Sequence, residues 1–240
     1  MFERILLFGY GVMASALLEG WLASGLEPGR FVVYNPRPKE VPAGVAFTTT
    51  LPDTRFDAVL LGVKPQMLAE AAKDAAPLVG AETVLLSMLA AVDLDRLAAD
   101  FPHAGPVVRM MPNLAAAIGK SPVALAARGA SAAQRDAVTN FAARLGSAEW
   151  LADEAQFDVV TALVGSGPGF VYRFIEALAQ EASALGLDPA QAEQLAIAMV
   201  EGAGALAARS GRRPSELARR VASPGGTTQA GLDVLDESQN

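Results

Sequence analysis

A buried strand, a glycine turn and a helix in succession near the N-terminus constrain this chain more than any other feature. Ile5-Leu6-Leu7-Phe8 is an unbroken apolar run, typical of a strand that is covered on both faces. The next residues fit the pattern G-x-G-x-x-A, and residues 15–22 have helical spacing. This arrangement is typical of dinucleotide binding, because the glycines allow a tight turn and let a pyrophosphate approach the backbone at the helix N-terminus. We expect the cofactor to be bound by Gly9, Tyr10, Gly11, Val12 and Met13.

Further buried strands alternate with helices through the first 152 residues. The pattern predicts strands at residues 31–34, 57–63, 83–87, 106–109, 121–127 and 148–151, and helices at residues 67–76, 93–99 and 132–144. Such alternation is typical of a doubly wound parallel sheet with helices on both faces. The predicted fold class is therefore α/β, with an N-terminal Rossmann domain over residues 1–152.

The end of the second strand indicates which dinucleotide is bound. Enzymes that use NAD usually carry an acid here, which holds the ribose 2′-hydroxyl. This chain instead has Asn35-Pro36-Arg37-Pro38-Lys39, and its first carboxylate is Glu40. Because two cations suit a 2′-phosphate, we expect NADPH to be preferred over NADH, with Asn35 and Arg37 as contacts. The competing interpretation is that Arg37 and Lys39 are solvated loop charges.

Two other loops leave the carboxyl ends of predicted strands, where the ligands of doubly wound sheets bind. Val63-Lys64-Pro65 lies at the end of one strand, and Met110-Met111-Pro112-Asn113 follows another. We expect Val63, Lys64, Pro65 and Asn113 to contact the cofactor, with Asn113 near the nicotinamide or the substrate. For Lys64 the alternative is a surface lysine in front of a helix that starts with proline.

The strand pattern stops at Asp153, and the remaining chain has the spacing of helices. These cover residues 154–164, 170–185, 191–209 and 215–222, with a break predicted at residues 165–169. Several of the helices are apolar around most of their circumference and cannot all be buried against each other in so short a region. We predict an all-α dimerisation and substrate-binding domain over residues 153–240, and hence a homodimer, with higher assemblies left open.

Composition and charge exclude several other classes of protein. The net charge of −7 disfavours nucleic acid as a partner, and the absence of cysteine excludes thiolate catalysis and thiolate metal sites, so we expect no metal. No window approaches 18 uncharged apolar residues, and the N-terminus lacks the features of a signal peptide, so we expect no membrane partner and a cytoplasmic location. The single histidine, His103, lies in a predicted connection, which favours a surface position over catalysis.

A turn near the C-terminus has the composition of an anion site. Residues 223–228 read Ser-Pro-Gly-Gly-Thr-Thr. A proline followed by two glycines allows several backbone N–H groups to point at one place, which suits a small carboxylate, and the two threonine hydroxyls can donate or accept. The alternative is a plain connection between helices, in which Gly225 stops one helix and Thr227 or Thr228 caps the next.

Together these motifs resemble the pyrroline-5-carboxylate reductase family. The matching segments, in the family's order over nearly the whole chain, are residues 9–14, 63–66, 109–113, 161–168 and 223–228. The last two are specific to the family. The resemblance implies NAD(P)H-dependent reduction of 1-pyrroline-5-carboxylate to L-proline, the last step of proline biosynthesis. It also implies a helical C-terminal domain that interlocks with a partner, so that the turn of one subunit completes the pocket over the other subunit's cofactor.

The resemblance also implies roles for the residues of the turn. Ser223, Gly225, Gly226 and Thr227 would bind the substrate, chiefly by holding its carboxylate with backbone groups. Thr228 would take part in this contact, and its hydroxyl would meet the ring nitrogen as the catalytic group.

The sequence departs from the family in four places. Thr48-Thr49-Thr50 stand near the position of a family asparagine that contacts ribose, and Ser87-Met88-Leu89-Ala90-Ala91 lacks the family's final glycine. Leu114-Ala115 replace a Thr-Pro. The sequence ends at Asn240, where the family usually continues with another amphipathic helix, and we expect its absence to weaken the dimer or open the pocket.

No histidine, cysteine or well-placed lysine offers itself as the acid for such a reduction. We therefore expect the iminium to come from solution or from water relayed by Thr228, while the protein supplies position and electrostatics. Two alternatives stay open: a related reductase of hydroxy acids or of another imine, and a non-catalytic NADPH-binding or interaction protein. Hydroxyacid relatives carry a catalytic lysine on the first helix of the second domain, whereas residues 154–185 contain no lysine.

Overall fold

The computed structural model describes residues 2–237 of the chain. The chain forms two compact units, Met1–Pro168 and Gly169–Asn240. The division lies between Pro168 and Gly169, and the Phe157 side chain before it is buried in a core of the first unit. The sequence predicts a domain boundary between residues 152 and 153, shortly after the last strand ends at Trp150, and this domain division stays a prediction.

An eight-stranded sheet forms the first unit. Its strands are β1 (Ile5–Phe8), β2 (Phe31–Tyr34), β3 (Ala46–Thr48), β4 (Ala58–Leu61), β5 (Val84–Ser87), β6 (Val107–Met111), β7 (Ser121–Arg128) and β8 (Gly146–Trp150). They lie in the order β3-β2-β1-β4-β5-β6-β7-β8, and every neighbouring pair is parallel except β6 and β7. The predicted Rossmann fold class is confirmed by this topology.

Helices cover both faces of this sheet. They are α1 (Val12–Ala23), α2 (Leu68–Ala75), α3 (Leu94–Asp100), α4 (Ala132–Ala142) and the short α5 (Phe157–Val160). Alternate residues of each strand point to opposite faces, so Ile5 and Leu7 of β1 belong to one core and Leu6 and Phe8 to the other. The first core contains α1 and α4 residues, and the second contains residues of α2, α3 and α5.

The core on the α1 side is built around a fully buried tryptophan. Trp21 stacks on Phe31 and on Phe141, with ring centroids 5.8 and 4.2 Å apart, and its Nε1–H donates to the Phe141 carbonyl at 3.0 Å. A buried indole N–H needs such a partner. This contact joins α1, β2 and α4 into one packed layer.

The structure differs from the sequence prediction in three parts of the first unit. The short edge strand β3 was not predicted, since Ala46–Thr48 has only three residues and is partly exposed. The all-parallel sheet is wrong at β7, which runs antiparallel to β6 because a connection of only nine residues joins them, too short for a helical crossover. The break predicted at residues 165–169 is also wrong: a π-helical segment, Thr161–Ser166, continues directly into α6 (Gly167–Ala184).

Helices alone form the second unit. After the remainder of α6 come α7 (Pro189–Ser210), α8 (Pro214–Val221) and α9 (Thr227–Glu237). α7 begins at Pro189, where the Asp188 carboxylate accepts the Gln191 N–H at 3.1 Å, and ends at Gly211 in a left-handed conformation with φ of 64°. A helix follows the turn directly, over Thr227–Glu237, and the Gln229 side chain donates to Asp233 one turn later in it.

The helices of the second unit leave large apolar side chains in contact with solvent. Examples on α6 are Phe170, Tyr172 and Phe174, which are 71, 60 and 48% exposed. In the described part of this unit, the buried side chains are those of Ala192 and Ala196. Among residues 2–237, no helix is both long and apolar enough to cross a bilayer.

Candidate active site

The strand order places a ligand crevice between β1 and β4. From β1 the chain passes to β2 and β3 on one side, then returns to β4 on the other side of β1. Ligands of open α/β sheets bind where the order reverses, beyond the carboxyl ends of the strands. Phe8 at the end of β1 is in register with Leu61 at the end of β4, so the loops that start at Gly9 and Gly62 border this crevice together.

Gly9 and Gly62 touch each other through their backbones. Gly9 has a φ of 96°, which favours glycine, and a Cβ on it would lie 2.9 Å from the Gly62 carbonyl carbon. A Cβ on Gly62 would lie 2.5 Å from the Gly9 carbonyl oxygen. Real Cβ atoms do not come so close, so both positions require glycine for packing. Gly62 was not predicted as a site residue, although a glycine directly after the apolar run 58–61 was the available signal.

Gly11 has a different environment. Its φ is −101°, which any residue adopts, and a Cβ there would meet no described atom within 4 Å. The chain's own packing therefore does not require glycine at this position, and the space above it suits the close approach of a ligand. Gly11 precedes α1, and the first intrahelical bond runs from the Ser15 N–H to the Gly11 carbonyl at 2.9 Å. The N–H groups of residues 12–14 at the helix start remain available to an anion.

The tip of the turn is tied to the end of β2. The Tyr10 N–H donates to Asn35 Oδ1 at 3.3 Å, and Asn35 Nδ2 donates to the Arg37 carbonyl at 2.6 Å. Asn35 thereby connects the glycine turn to the loop that carries the predicted 2′-phosphate ligand. Burial, with a smaller contribution from the Glu19 charge, raises the pKa of Tyr10, so its phenol stays protonated at neutral pH.

The cations predicted to read the 2′-phosphate lie free at the edge of this loop. Arg37 and Lys39 are exposed, and within residues 2–237 neither forms an ion pair with an acid. Both guanidinium and ammonium groups are therefore available to a ligand. Their predicted contact with the cofactor stays a prediction.

The loop after β4 borders the other side of the crevice. Val63 lies against Gly9, since its Cγ1 would be 3.0 Å from a Cβ on that glycine. Lys64 is exposed, its side chain makes no capping bond, and Pro65 begins the short 3₁₀ turn Pro65–Met67. These three residues lie where the sequence predicted them, at the carboxyl end of a strand beside the glycine turn.

Asn113 is part of the internal hydrogen bonding of the first unit. The residue is 7% exposed, and its Oδ1 accepts the Ala115 N–H at 3.0 Å while its Nδ2 donates to the Val164 carbonyl at 3.0 Å. Its backbone N–H donates to Ser121 Oγ at 2.9 Å. The predicted cofactor contact stays a prediction, and in the structure the side chain has these partners within the chain.

The turn at residues 223–228 belongs to the second unit. The Gly226 N–H donates to the Ser223 carbonyl at 2.9 Å, and Gly225 has a φ of 70°, which is the pattern of a type II β-turn with Pro224 and Gly225 at its centre. Helix α9 follows directly, with its first bond from the Ala230 N–H to the Gly226 carbonyl at 3.2 Å. The turn thus connects two helices and also leaves backbone amides free. The interpretation as an anion site and the interpretation as a helix connection are therefore compatible.

The free donors of this turn can be named. Because the Gly226 N–H is used within the turn, the N–H groups of residues 223–228 left without a described partner are those of Ser223, Gly225, Thr227 and Thr228. The Thr227 and Thr228 side chains are exposed and lie in the first turn of an 11-residue helix, where the helix dipole favours an anion. The predicted substrate contacts at Ser223, Gly225, Gly226, Thr227 and Thr228 stay predictions.

The one histidine lies at the wrong edge of the sheet for catalysis at the crevice. His103 is exposed in the connection between α3 and the start of β6, whereas the crevice lies beyond the carboxyl ends of the parallel strands. Within residues 2–237, no group of three or more acids and histidines has the geometry of a metal site.

A doubly wound sheet with an open glycine turn at its switch point, joined to an all-helical unit, defines the class of two-domain dinucleotide-dependent reductases. A family model described as "Pyrroline-5-carboxylate reductase dimerisation" matches residues 154–240. Pyrroline-5-carboxylate reductase 2 of Bacillus subtilis is 32% identical over 99% of this chain and 88% of its own length. The Pseudomonas aeruginosa pyrroline-5-carboxylate reductase is 34% identical over 95% of this chain and 87% of its own length. The chain belongs to the pyrroline-5-carboxylate reductase family.

Solved structures agree with this assignment. A pyrroline-5-carboxylate reductase from Coxiella burnetii matches with a TM-score of 0.86 and 28% identity, covering 99% of this chain and 91% of that one. A Plasmodium falciparum pyrroline carboxylate reductase with NADP bound matches with a TM-score of 0.87, over 98% of this chain and 90% of that one; at 21% identity it supports the fold. The predicted family, fold class, activity class of NAD(P)H-dependent oxidoreductase and dimerisation domain are confirmed.

Proposed function

We propose that this chain reduces 1-pyrroline-5-carboxylate to L-proline with NADPH, as a cytoplasmic homodimer, and that Thr228 is the hydroxyl that meets the ring nitrogen. The full-length similarity to reductases of that name supports the substrate and the reaction. The single observation that carries the residue assignment is the type II turn that ends in the start of a helix, with free amides and two exposed threonines. Such a turn is a receptor for a small carboxylate.

The cofactor fits the described crevice in its polar and its steric features. The space above Gly11 is open, the N–H groups of residues 12–14 are available, and the exposed Arg37 suits the 2′-phosphate that distinguishes NADPH from NADH. When bound, the reduced nicotinamide supplies the hydride. Within the chain, Gly9 to Met13 would hold the pyrophosphate, Asn35 and Arg37 the adenosine ribose end, and Val63 to Pro65 the other half of the crevice.

The role of the turn is to orient the imine. The amides of Gly225, Thr227 and Thr228 would bind the substrate carboxylate, and this contact fixes the ring at one end. The Thr228 hydroxyl would then donate to, or relay a water to, the ring nitrogen as charge develops during reduction. The proton itself comes from solution, so the protein contributes geometry and hydrogen bonds.

The dimer follows from the surface of the second unit. Phe170, Tyr172 and Phe174 on α6 and Leu206 on α7 are large, apolar and exposed. Large apolar side chains left exposed in such numbers on two helices mark an association site. In the proposed assembly, the turn of one subunit completes the pocket at the other subunit's cofactor.

The proposal is tested by Thr228→Val, which removes the hydroxyl and keeps the shape and the backbone amide. We expect kcat/KM for pyrroline-5-carboxylate to fall about 10- to 150-fold, because one hydrogen bond to a charged group contributes about 1.5–3 kcal/mol. The measurement is NADPH oxidation at saturating coenzyme, beside NADH and a panel of other cyclic imines.

Thr227→Val is the matched control, since it makes the same change one residue earlier in the same helix turn. We expect a loss of less than threefold there. Wild-type turnover by Thr228→Val would reject the role of the hydroxyl, and a wild-type protein that reduces another imine faster would reject the substrate.

A further inference from the structure

The junction between β6 and the π-helical segment is held by one side chain. Asn113 lies two residues after the end of β6, and its Nδ2 donates to the Val164 carbonyl inside the segment Thr161–Ser166, 51 residues later. Its Oδ1 accepts the Ala115 N–H and so caps the short 3₁₀ helix Leu114–Ile118. A buried amide that uses both ends in this way fixes the two elements relative to each other.

The Val164 carbonyl has lost the partner that an α-helix would give it. In an α-helix the carbonyl of residue 164 accepts the N–H of residue 168. Residue 168 is proline, which has no N–H. Without this partner the carbonyl of the partly buried Val164 needs another donor, and Asn113 Nδ2 reaches it at 3.0 Å.

The segment that is held in this way lies at the end of β6 towards the ligand crevice. A Cβ on Gly165 would lie 3.5 Å from Met111 Sδ, and Met111 is the last residue of β6. The segment therefore packs at the carboxyl end of the strand, the edge at which doubly wound sheets bind their ligands. Short π-helical segments are frequent at functional sites, where they place groups that a regular helix would not.

We propose that Asn113 is a positioning residue for the reduction, which acts by supplying the hydrogen bond that Pro168 cannot give and so fixes the π-helical segment at the crevice. This role differs from the direct cofactor contact that the sequence suggested. It rests on the proposed reductase function for its activity readout. The hydrogen bond from Asn113 to the Val164 carbonyl, in place of one from residue 168, does not depend on which substrate is reduced.

The test uses Asn113→Ser, Pro168→Ala and the double variant. Serine keeps an oxygen that can cap the 3₁₀ helix but is too short to reach Val164. We expect kcat for pyrroline-5-carboxylate to fall about tenfold in Asn113→Ser, since small misplacements of catalytic geometry have effects of this size, while the Kd for NADPH stays within twofold. Pro168→Ala restores an N–H at residue 168, so the double variant should recover kcat to within about threefold of Pro168→Ala alone.

Two results would overturn the proposal. A Kd for NADPH that weakens in proportion to the fall in kcat would make Asn113 a direct cofactor contact. Independent effects of the two substitutions on kcat, with no rescue in the double variant, would show that Pro168 and Asn113 do not share the Val164 carbonyl.

A second pair of measurements separates this proposal from the proposed function. Urea unfolding of the same four proteins needs no substrate, and the loss of stability in Asn113→Ser should be smaller when residue 168 is alanine. If Asn113→Ser does not fold, Asn113→Asp keeps the oxygen on the Ala115 N–H, loses the donor to Val164, and is measured in the same way. The two substitutions could be coupled in urea unfolding while the wild type is inactive on pyrroline-5-carboxylate. That result would support the hydrogen bond of Asn113 to Val164 and would reject only the reductase assignment.

Discussion

The two units of this protein are rich in the same small and apolar residues but use them differently. In the first unit, strands and helices cover each other, and Trp21, Phe31 and the β1 residues are completely buried. In the described part of the second unit, the helices carry phenylalanine, tyrosine and leucine side chains that face solvent. The comparison shows that the first unit contains its own core, whereas the second acquires one by association. The stability of the first unit should therefore be independent of protein concentration. The stability of the second unit should rise with protein concentration, because its core forms on association.

The largest test of this contrast is Phe174→Glu, which places a charge on the exposed face of α6. We expect the dimer dissociation constant to rise at least about 30-fold, since burying an unpaired charge at an interface costs about 2 kcal/mol or more. Sedimentation velocity across a dilution series measures this dissociation constant.

By contrast, Trp21→Ala should destabilise the first unit by about 3–5 kcal/mol at every protein concentration.

Leu51→Glu is the matched control for the charge at residue 174. Leu51 is 41% exposed in the first unit, close to the 48% of Phe174. A dimer that survives Phe174→Glu, or that dissociates equally with Leu51→Glu, would remove the distinction between the two surfaces.

The next test asks whether the cofactor site belongs to the first unit alone. Arg37→Gln should raise the KM for NADPH about tenfold and change that for NADH less than twofold, because only NADPH carries the phosphate that the guanidinium would bind. Arg55→Gln, an exposed arginine before β4 at the opposite edge of the sheet, should leave both unchanged. Equal effects of Arg37→Gln on the two coenzymes would rule out reading of the 2′-phosphate.

The smallest predicted effect concerns Ala91, which is the one non-glycine residue with positive φ in the described chain, at 58°. It stands where the resemblance predicts glycine. Alanine in the left-handed conformation costs about 1–2 kcal/mol, which a glycine would relieve. Part of this gain is lost, because glycine also raises the conformational entropy of the unfolded chain. Ala91→Gly should therefore stabilise the first unit by about 0.5–1 kcal/mol in urea unfolding. Ala90→Gly, at the exposed position before it, should destabilise by a similar amount.

The sequence predicted most of the sheet because its strands are short, apolar and buried on both faces. β1, β2 and the glycine turn lie where their pattern placed them, and the cofactor contacts of Gly9 to Met13 stay a prediction. The signal was local in each case, since a buried strand and a glycine turn are recognisable within about ten residues.

The features that the sequence did not reveal depend on contacts distant along the chain. β3 forms because Ala46–Thr48 pairs with β2, and the three residues have no apolar run of their own. The π-helical segment at Thr161–Ser166 was predicted as the end of one helix and a break, because glycine and proline usually interrupt helices. Only the structure shows that Asn113 satisfies the Val164 carbonyl there.

The contact between Gly9 and Gly62 also limits how this chain can vary by single mutations. Each glycine occupies the space that the other's side chain would need, so neither can be exchanged while its neighbour stays in place. An enlargement at either position requires the ends of β1 and β4 to separate, which would widen the crevice between them. A single substitution at either position should therefore not be tolerated. A library that randomises both positions should yield folded variants that carry glycine at both.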